Sequence, residues 1–329
     1  MANSDPVPNE GEGVEFTHQP VMAREVVDLL APVPSGVIID GTLGAGGHSR
    51  LILASRPDFT LLGIDRDAEA IAAATHNLAP FGDRVRIVHG EFSDVAAIAR
   101  HEGIEGEVVG MLLDLGVSSP QLDHVERGFT FRNDDAPLDM RMDYRQELTA
   151  ADVCNTYDES DLARIIARNG EEKFAKRIAA KIVEMRPIAT TGDLVTAIKA
   201  AIPAPARRKG GHPAKRTFQA IRMEVNRELP NLSDCLDESV HLLAPGGRML
   251  VMSYHSLEDR MVKEHFISWA GEDRPTLPGG ILPIEAVGNE PLVRIVTRRP
   301  VRPGDEELAA NPRSESARLR VAERLASAS

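Results

Sequence analysis

Two cysteines, Cys154 and Cys235, are all that the 329-residue sequence contains, too few and too widely spaced for a disulfide framework or a metal-ligating cluster. A reducing, cytoplasmic setting is therefore expected, and no metal is assigned. No apolar run approaches the roughly 18 residues of a membrane span, and no signal-like stretch is read ahead of the first strand, so no membrane partner is expected. Positive charge is also short. Against 50 Asp and Glu stand 38 Lys and Arg, and the net −12 argues against indiscriminate binding of nucleic acid. Internal repeats and low-complexity tracts are missing as well. What is present is 42% hydrophobic content, enough for a large core, preceded by residues 1–15, which read as a disordered acidic tail.

The most informative stretch runs from Val37 to Ser49, where an apolar run ends in Asp40 and enters a turn holding Gly41, Gly44, Gly46 and Gly47. Glycines tolerate positive φ and leave no Cβ between backbone and ligand, as a strand-to-helix nucleotide loop requires; a plain connector is the alternative. Ser49 to Ser55 reads as the following helix. Leu61 to Asp65 is a second apolar run with a terminal acid, and Asp65 follows Gly44 by 21 residues, close to the spacing at which such an acid binds a ribose hydroxyl. A helix over 68–78, a strand over 85–90, a helix over 95–100 and an apolar strand over 108–114 continue the alternation. Strands without polar alternation, separated by helices, predict a parallel α/β sheet covered on both faces.

After about Phe131 only helical patterns are read, predicting an inserted helical subdomain over 132–212 within a domain formed by 16–131 and 213–329. Phe218, Ile221, Val225 and Leu229 mark one helix face, with Pro230 breaking it. Leu232 to Leu243 gives another helix, and the turn 244–248 leads into a strand over 249–254. Runs at 292–297 and 317–322 predict a closing antiparallel hairpin. Between Pro203 and Arg227 lie seven cations, Arg207, Arg208, Lys209, Lys215, Arg216, Arg222 and Arg227, against the single anion Glu224. They flank a Gly-Gly-His-Pro turn, so a phosphate-contacting loop and a merely solvated face are both open. A second set of arginines runs from Arg294 to Arg320.

The Asp-Gly-Thr-x-Gly-x-Gly-Gly-His loop, the acid after strand two and the Pro-Gly-Gly turn before strand five resemble class I S-adenosylmethionine-dependent methyltransferases. More closely, FTHQPVM (16–22), DLGVSSPQLD (114–123), RGF (127–129), PLDMRMD (137–143), RTFQAIR (216–222) and SYHSLEDR (253–260) resemble the bacterial 16S ribosomal RNA cytosine-N4 methyltransferase family. The resemblance spans residues 16 to 325 or so. It implies a seven-stranded Rossmann-like sheet, S-adenosyl-L-methionine as cofactor, and methylation of a cytidine N4 in the decoding centre of the 16S RNA of the small ribosomal subunit. It leaves room for a homodimer. By motif match, Gly46, Gly47 and His48 would meet the amino-acid end of the cofactor, Asp65 the ribose and Phe92 the adenine, with Asp114 and Gln121 completing the pocket.

Methyl transfer to nitrogen is an in-line displacement that requires neither a metal nor a covalent enzyme intermediate. The N4 lone pair is delocalised into the ring, so an acceptor for its N–H groups and correct alignment are the useful contributions. Amino-methylating enzymes of DNA carry an acid or Ser, two prolines and an aromatic where this chain has Ser118, Ser119, Pro120 and Gln121. One proline is present and the aromatic is missing. Ser118 or Ser119 is therefore expected to accept from the amino group, with Phe129 or Tyr254 stacking on the base. His255 is a candidate for proton transfer or for a structural hydrogen bond at the strand end. Asp139, Arg207, Arg208, Lys209, Lys215 and Arg216 are expected on the RNA side. An NAD-dependent oxidoreductase, which would want a third glycine where Ser49 stands, a noncatalytic RNA-binding assembly factor and a DNA cytosine-N4 methyltransferase are the alternatives.

Overall fold

The computed structural model describes residues 20–117, 119–207, 211–272 and 290–326, with Ser119 and Pro120 as backbone only. The expected acidic tail lies outside the described residues. The sheet consists of β1 (Gly36–Asp40), β2 (Phe59–Asp65), β3 (Val85–His89), β4 (Val108–Asp114), β5 (Leu243–Ser253), β6 (Val293–Ile295) and β7 (Arg318–Arg324). Its order is β3-β2-β1-β4-β5-β7-β6. Pairing is parallel from β3 through β5, while β7 runs antiparallel between β5 and β6. The helices of the first half are α1 (Ala23–Leu30), α2 (Gly47–Ser55), α3 (Ala68–Leu78), α4 (Val95–His101), α5 (Ser119–Asp123), α6 (Ala150–Thr156) and α7 (Glu159–Gly170). Those of the second half are α8 (Ala175–Glu184), α9 (Thr191–Ala201), α10 (Ala204–Arg207), α11 (Lys215–Val225), α12 (Glu228–Leu242), α13 (Ser256–Trp269) and α14 (Asp305–Ala310). Among the described residues, no helix is long and apolar enough to cross a membrane.

The strands are apolar at consecutive positions because each face meets a helical layer. Ile38, Leu61, Leu112 and Leu250 pack with Val26, Leu30, Ile52, Leu53 and Leu78 of α1, α2 and α3. Their chain neighbours Ile39, Leu62, Met111 and Val251 pack on the other face with Val95, Leu232, Leu236, Val262 and Phe266 of α4, α12 and α13. This is the doubly wound α/β architecture expected from the sequence. A third core gathers apolar residues from Phe129 to Val225, drawing on α6, α7, α8, α9 and α11.

Two local expectations are corrected. Pro230 does not break a helix: α11 ends at Val225 and Arg227 turns the chain with φ 50°. Pro230 then occupies the first turn of α12, where a missing N–H leaves no intrahelical bond unmade. The turn 244–248 is also not a separate entry to β5, since β4 pairs Val108 with Leu243 and then Gly110 with Arg248, absorbing the extra residues as an irregularity.

The end of α11 is fastened to the 140–142 segment through Asn226, which is 1% exposed. Its Oδ1 accepts the Met142 N–H at 2.9 Å, and its Nδ2 donates to the carbonyls of Met140 at 2.8 Å and Arg222 at 2.9 Å. Asn226→Leu would strand buried backbone groups and should lower unfolding stability by about 2–4 kcal/mol. Urea denaturation reads this directly, and an unchanged midpoint would show that the 140–142 segment finds other partners.

Candidate active site

The loop after β1 is shaped from below. Asp40 is buried, its Oδ2 accepting from Ser49 Oγ at 2.6 Å and its Oδ1 from the Thr42 N–H at 3.2 Å. Burial raises its pKa, and the Ser49 hydroxyl, His48 and the Thr42 N–H offset part of that rise. Asp40 thus orients the loop. A Cβ on Gly41 would stand 2.6 Å from the Leu113 side chain, which would have to shift to admit it. Gly46 caps α2 with φ 80°, which starts that helix at Gly47, two residues earlier than the sequence suggested.

The acids ending β2 and β4 face the same space. Asp65 accepts the Gly44 N–H at 2.7 Å on one oxygen and the Asp67 N–H at 2.9 Å on the other. Asp114 is held from three directions: its N–H donates to Thr42 Oγ1 at 2.6 Å, its Oδ1 accepts from Tyr254 Oη at 2.8 Å, and its Oδ2 lies 3.7 Å from His48 Nδ1. Burial raises the pKa of both acids, in Asp114 against the pull of His48 and Tyr254. The Tyr254 phenol is pushed well up by burial and by the carboxylate it donates to.

These groups open onto a cleft of about 680 Å³ at the carboxyl ends of β1, β2 and β4, where the strand order reverses. Its lining includes Gly41, Thr42, Asp65, Phe92, Asp114 and Gln121, together with Arg66, Glu91, Met142, Glu228, Asn231 and Glu258. Five carboxylates and the Arg66 guanidinium therefore line the cleft, with Glu228 already paired to Arg222. Arg66 pairs with Glu91 at 3.3 Å, and Asn231 donates to the same carboxylate at 3.0 Å. Glu258 accepts the Tyr254 N–H at 2.9 Å. Although burial works to raise the Glu258 pKa, His255, the Tyr254 N–H and Arg222 hold it below the usual carboxylate value.

Of the cofactor residues named from the sequence, Asp65, Phe92, Asp114 and Gln121 line the cleft, whereas Gly46, Gly47 and His48 stand behind it. Cβ atoms on Gly46 and Gly47 would meet Leu78 at 3.1 Å and Pro20 at 2.8 Å, and His48 Nε2 lies 2.8 Å from the Val21 carbonyl. Phe129 is a correction: 7% exposed and part of the helical core, it has no free face for a base. Tyr254 is likewise committed, its hydroxyl to Asp114 and its ring beside Gly116. Asp139 is tied to the Arg141 guanidinium at 2.8 and 2.9 Å. His255 caps α13, with Nδ1 3.4 Å from the Glu258 N–H. Its Nε2 is buried 3.1 Å from Glu258 Oε1, at an angle that makes no hydrogen bond. Arg207, Lys215 and Arg216 are exposed. Ser118, Arg208 and Lys209 lie outside the described residues, as do the side chains of Ser119 and Pro120.

The sequence reading missed Glu228, Asn231 and Glu258, which reach the cleft from α12 and α13, and Arg127, which is 2% exposed. Arg127 donates to Asp67 Oδ2 at 3.0 Å, and Gln121 Nε2 donates to that same oxygen at 3.0 Å. Glu258 and Arg127 both sat inside motifs already noticed. Glu228, His255 and Glu258 bring donor atoms within 4.8 Å of one another. The Arg222 guanidinium, bonded to both Glu228 oxygens at 2.8 Å, already fills a cation's place there. Neither cysteine is a nucleophile, because burial pushes both thiols up to about 12.

A parallel sheet in this order with an antiparallel β7, and a ligand cleft at the crossover between β1 and β4, define a class I methyltransferase. The chain belongs to the MraW methylase family, whose model matches residues 15–325. It is 50% identical over 314 residues to a protein of Heliobacterium modesticaldum named Ribosomal RNA small subunit methyltransferase H, covering 94% of this chain and 99% of that one. A protein of the same name from Thermobifida fusca is 50% identical over 313 residues, 93% of each chain. Among solved structures, an rRNA methylase from Streptococcus thermophilus aligns with TM-score 0.41 and 10% identity over 92% of this chain and 95% of that one, too distant to bear on function.

The Tyr254 hydroxyl stabilises the ionised form of Asp114, so Tyr254→Phe should move the Asp114 titration to higher pH. Carboxyl ¹³C NMR would follow it, and a titration that stays put or moves down would remove Tyr254 from that role.

Proposed function

We propose that this chain transfers a methyl group from S-adenosyl-L-methionine to the exocyclic N4 of a cytidine in the decoding centre of 16S ribosomal RNA. The observation that carries the reading is the cleft's charge: five carboxylates and one guanidinium at a nucleotide-type crossover. S-adenosyl-L-methionine brings a sulfonium, an ammonium and a carboxylate, a net single positive charge, and supplies an electrophilic methyl when bound. At an effective dielectric of about 20, opposite unit charges about 4 Å apart attract by about 4 kcal/mol. A dinucleotide would instead bring a diphosphate, repelled on the same scale, which disfavours the oxidoreductase alternative. The names of the relatives favour a small-subunit RNA substrate.

In this reading Asp65 accepts from ribose hydroxyls with lone pairs not used by Gly44 and Asp67, and Phe92 lies against the adenine. Gln121 and Asp114 close the cofactor side, and Gly46, Gly47 and His48 set the loop's approach to the amino-acid end. The segment Ser118-Ser119-Pro120 begins four residues after Asp114 and would accept from the target amino group, drawing its lone pair out of conjugation. No strong base is required, because the methylated amine is acidic enough to release its proton to solvent. His255 would then act through Glu258, whose carboxylate it faces in the cleft wall. Residues 132–212 would serve substrate recognition. Arg207, Lys215 and Arg216, joined by Arg208, Lys209 and Asp139, would meet RNA. Their turn is anchored where His212 stacks on Phe131 with ring centroids 4.4 Å apart.

Labelled methyl donor with small subunits lacking the modification, followed by nucleoside mass spectrometry, tests the reaction. N4-methylcytidine should appear, and Asp114→Asn should weaken cofactor binding roughly 10- to 100-fold by removing a charged acceptor. Cofactor binding without incorporation would favour an assembly factor, and incorporation into DNA would favour the DNA-modifying alternative.

Two further outcomes are expected. Cofactor affinity should fall as pH drops through the raised Asp114 titration, since protonation removes the charge facing the donor, and Asp114→Asn should flatten that dependence in calorimetry. Replacing Arg207, Lys215 and Arg216 together with Ala should reduce the slope of log affinity against log salt by roughly 2 for a single strand. An unchanged slope would place the RNA elsewhere.

A further inference from the structure

Phe129 and Tyr254 leave the RNA without an aromatic partner, and the chain is poor in aromatics, with one Trp, three Tyr and nine Phe. Among the described residues, Tyr144 is the aromatic that stands open to solvent, at 50% exposure. We infer that Tyr144 is a stacking platform for an unpaired nucleobase of the substrate strand, next to the nucleotide held in the cleft. This rests on the RNA reading above.

Its position carries the argument. Tyr144 follows by two residues Met142, which lines the cleft. Exposed rings are ordinarily free to change rotamer, but this one is braced by two guanidiniums, Arg127 at 4.4 Å and Arg141 at 5.4 Å from its centroid. Arg127 is itself immobilised, donating to Asp67 and to the carbonyls of Arg141 at 3.1 Å and Met142 at 3.2 Å. Arg141 is pinned by Asp139. Arg127 has these polar partners without the ring, so its own hydrogen bonding does not require Tyr144. The result is a pre-positioned aromatic surface held by the same guanidinium that bonds the carbonyl of cleft-lining Met142, and a ring already held loses little freedom when a base stacks on it. Asp67, which anchors Arg127, also anchors Gln121 in the cleft wall, so the platform and the cofactor side share one rigid support.

Base–aromatic stacking is sequence-tolerant and is strongly felt on truncation to alanine. With full-length protein and a fluorescently labelled single-stranded RNA containing the target cytidine, Tyr144→Ala should weaken binding roughly 5- to 150-fold, the range set by one stacked base. Cofactor affinity should not change. Tyr144→Phe should bind as the parent does, whereas Tyr144→Leu should fall with the alanine variant. A fluorescent purine analogue beside the cytidine should be quenched by the parent and Tyr144→Phe and not by the other two. Equal RNA affinity in all variants overturns the platform while leaving the methyltransferase reading intact. A leucine variant as good as phenylalanine overturns stacking in favour of apolar contact with a protein partner. A parent chain that binds neither RNA nor small subunits overturns the functional reading and the platform with it.

Discussion

A carboxylate buried at the end of a parallel strand must be matched by donors or neutralised, and Asp114 is where this constraint organises the molecule. Its main chain reaches Thr42 in the loop after β1, one oxygen takes the phenol that follows β5, and the other faces His48 on α2. Three segments that are remote in sequence are thereby fixed around one charge. The cleft lies at the crossover between β1 and β4, and Asp114 ties the loop after β1 to the end of β5 beside it. Desolvation favours the neutral acid while Tyr254 and His48 favour the ion, so a cation arriving in the cleft meets a group whose charge it would itself stabilise.

The helical layer reaches this site through buried polar contacts as well as through apolar Met142. Asn226 holds the 140–142 segment by its backbone, Arg127 holds it by two carbonyls, and Arg127 also grips Asp67 at the start of α3. Arg222 of α11 closes on Glu228 of α12 through both oxygens. Each contact breaks at considerable expense if one partner is removed, because the other would be left buried and unpaired. Such contacts specify one placement of the helices over the cleft, whereas apolar contact alone would tolerate sliding.

How much of this was legible in the sequence follows from the range of the forces involved. The strands announced themselves because consecutive apolar residues are needed when both faces are covered, and β4 was read to the residue. Acids at strand ends marked the cleft for the same reason, since an ion at the end of an apolar run stands out. Gly46 and Gly47 are expected as ligand contacts from the sequence, and the structure adds that a Cβ on them would meet Leu78 and Pro20. Glycine records that something is close, not what it is. Phe129 failed because an aromatic near a motif is read alike whether its ring faces a base or the core of α6 to α11. Asn231 and Arg127 were missed because their partners lie far along the chain, with 140 residues between Asn231 and Glu91 and 60 between Arg127 and Asp67. Pro230 misled because proline terminates helices only beyond their first turn.

The charge distribution joins the site to the proposed substrate. A net −12 would repel an RNA strand if spread evenly, but several anions face inward. Asp65, Asp114, Glu228 and Glu258 line the cleft, where they would face the proposed cationic donor and not the RNA strand. The exposed cations Arg207, Lys215 and Arg216 lie on α10 and at the start of α11, in a stretch from Pro203 to Arg227 whose single anion is Glu224. Acid within and base without would let one acidic protein hold a sulfonium and approach a polyphosphate strand. The separation depends on the same buried pairs that fasten the helices, because Arg222 and Arg127 are spent inside on Glu228 and Asp67. A strand drawn to the outer cations would therefore meet a cleft whose own arginines are already committed, and would enter it by its base, not its phosphate.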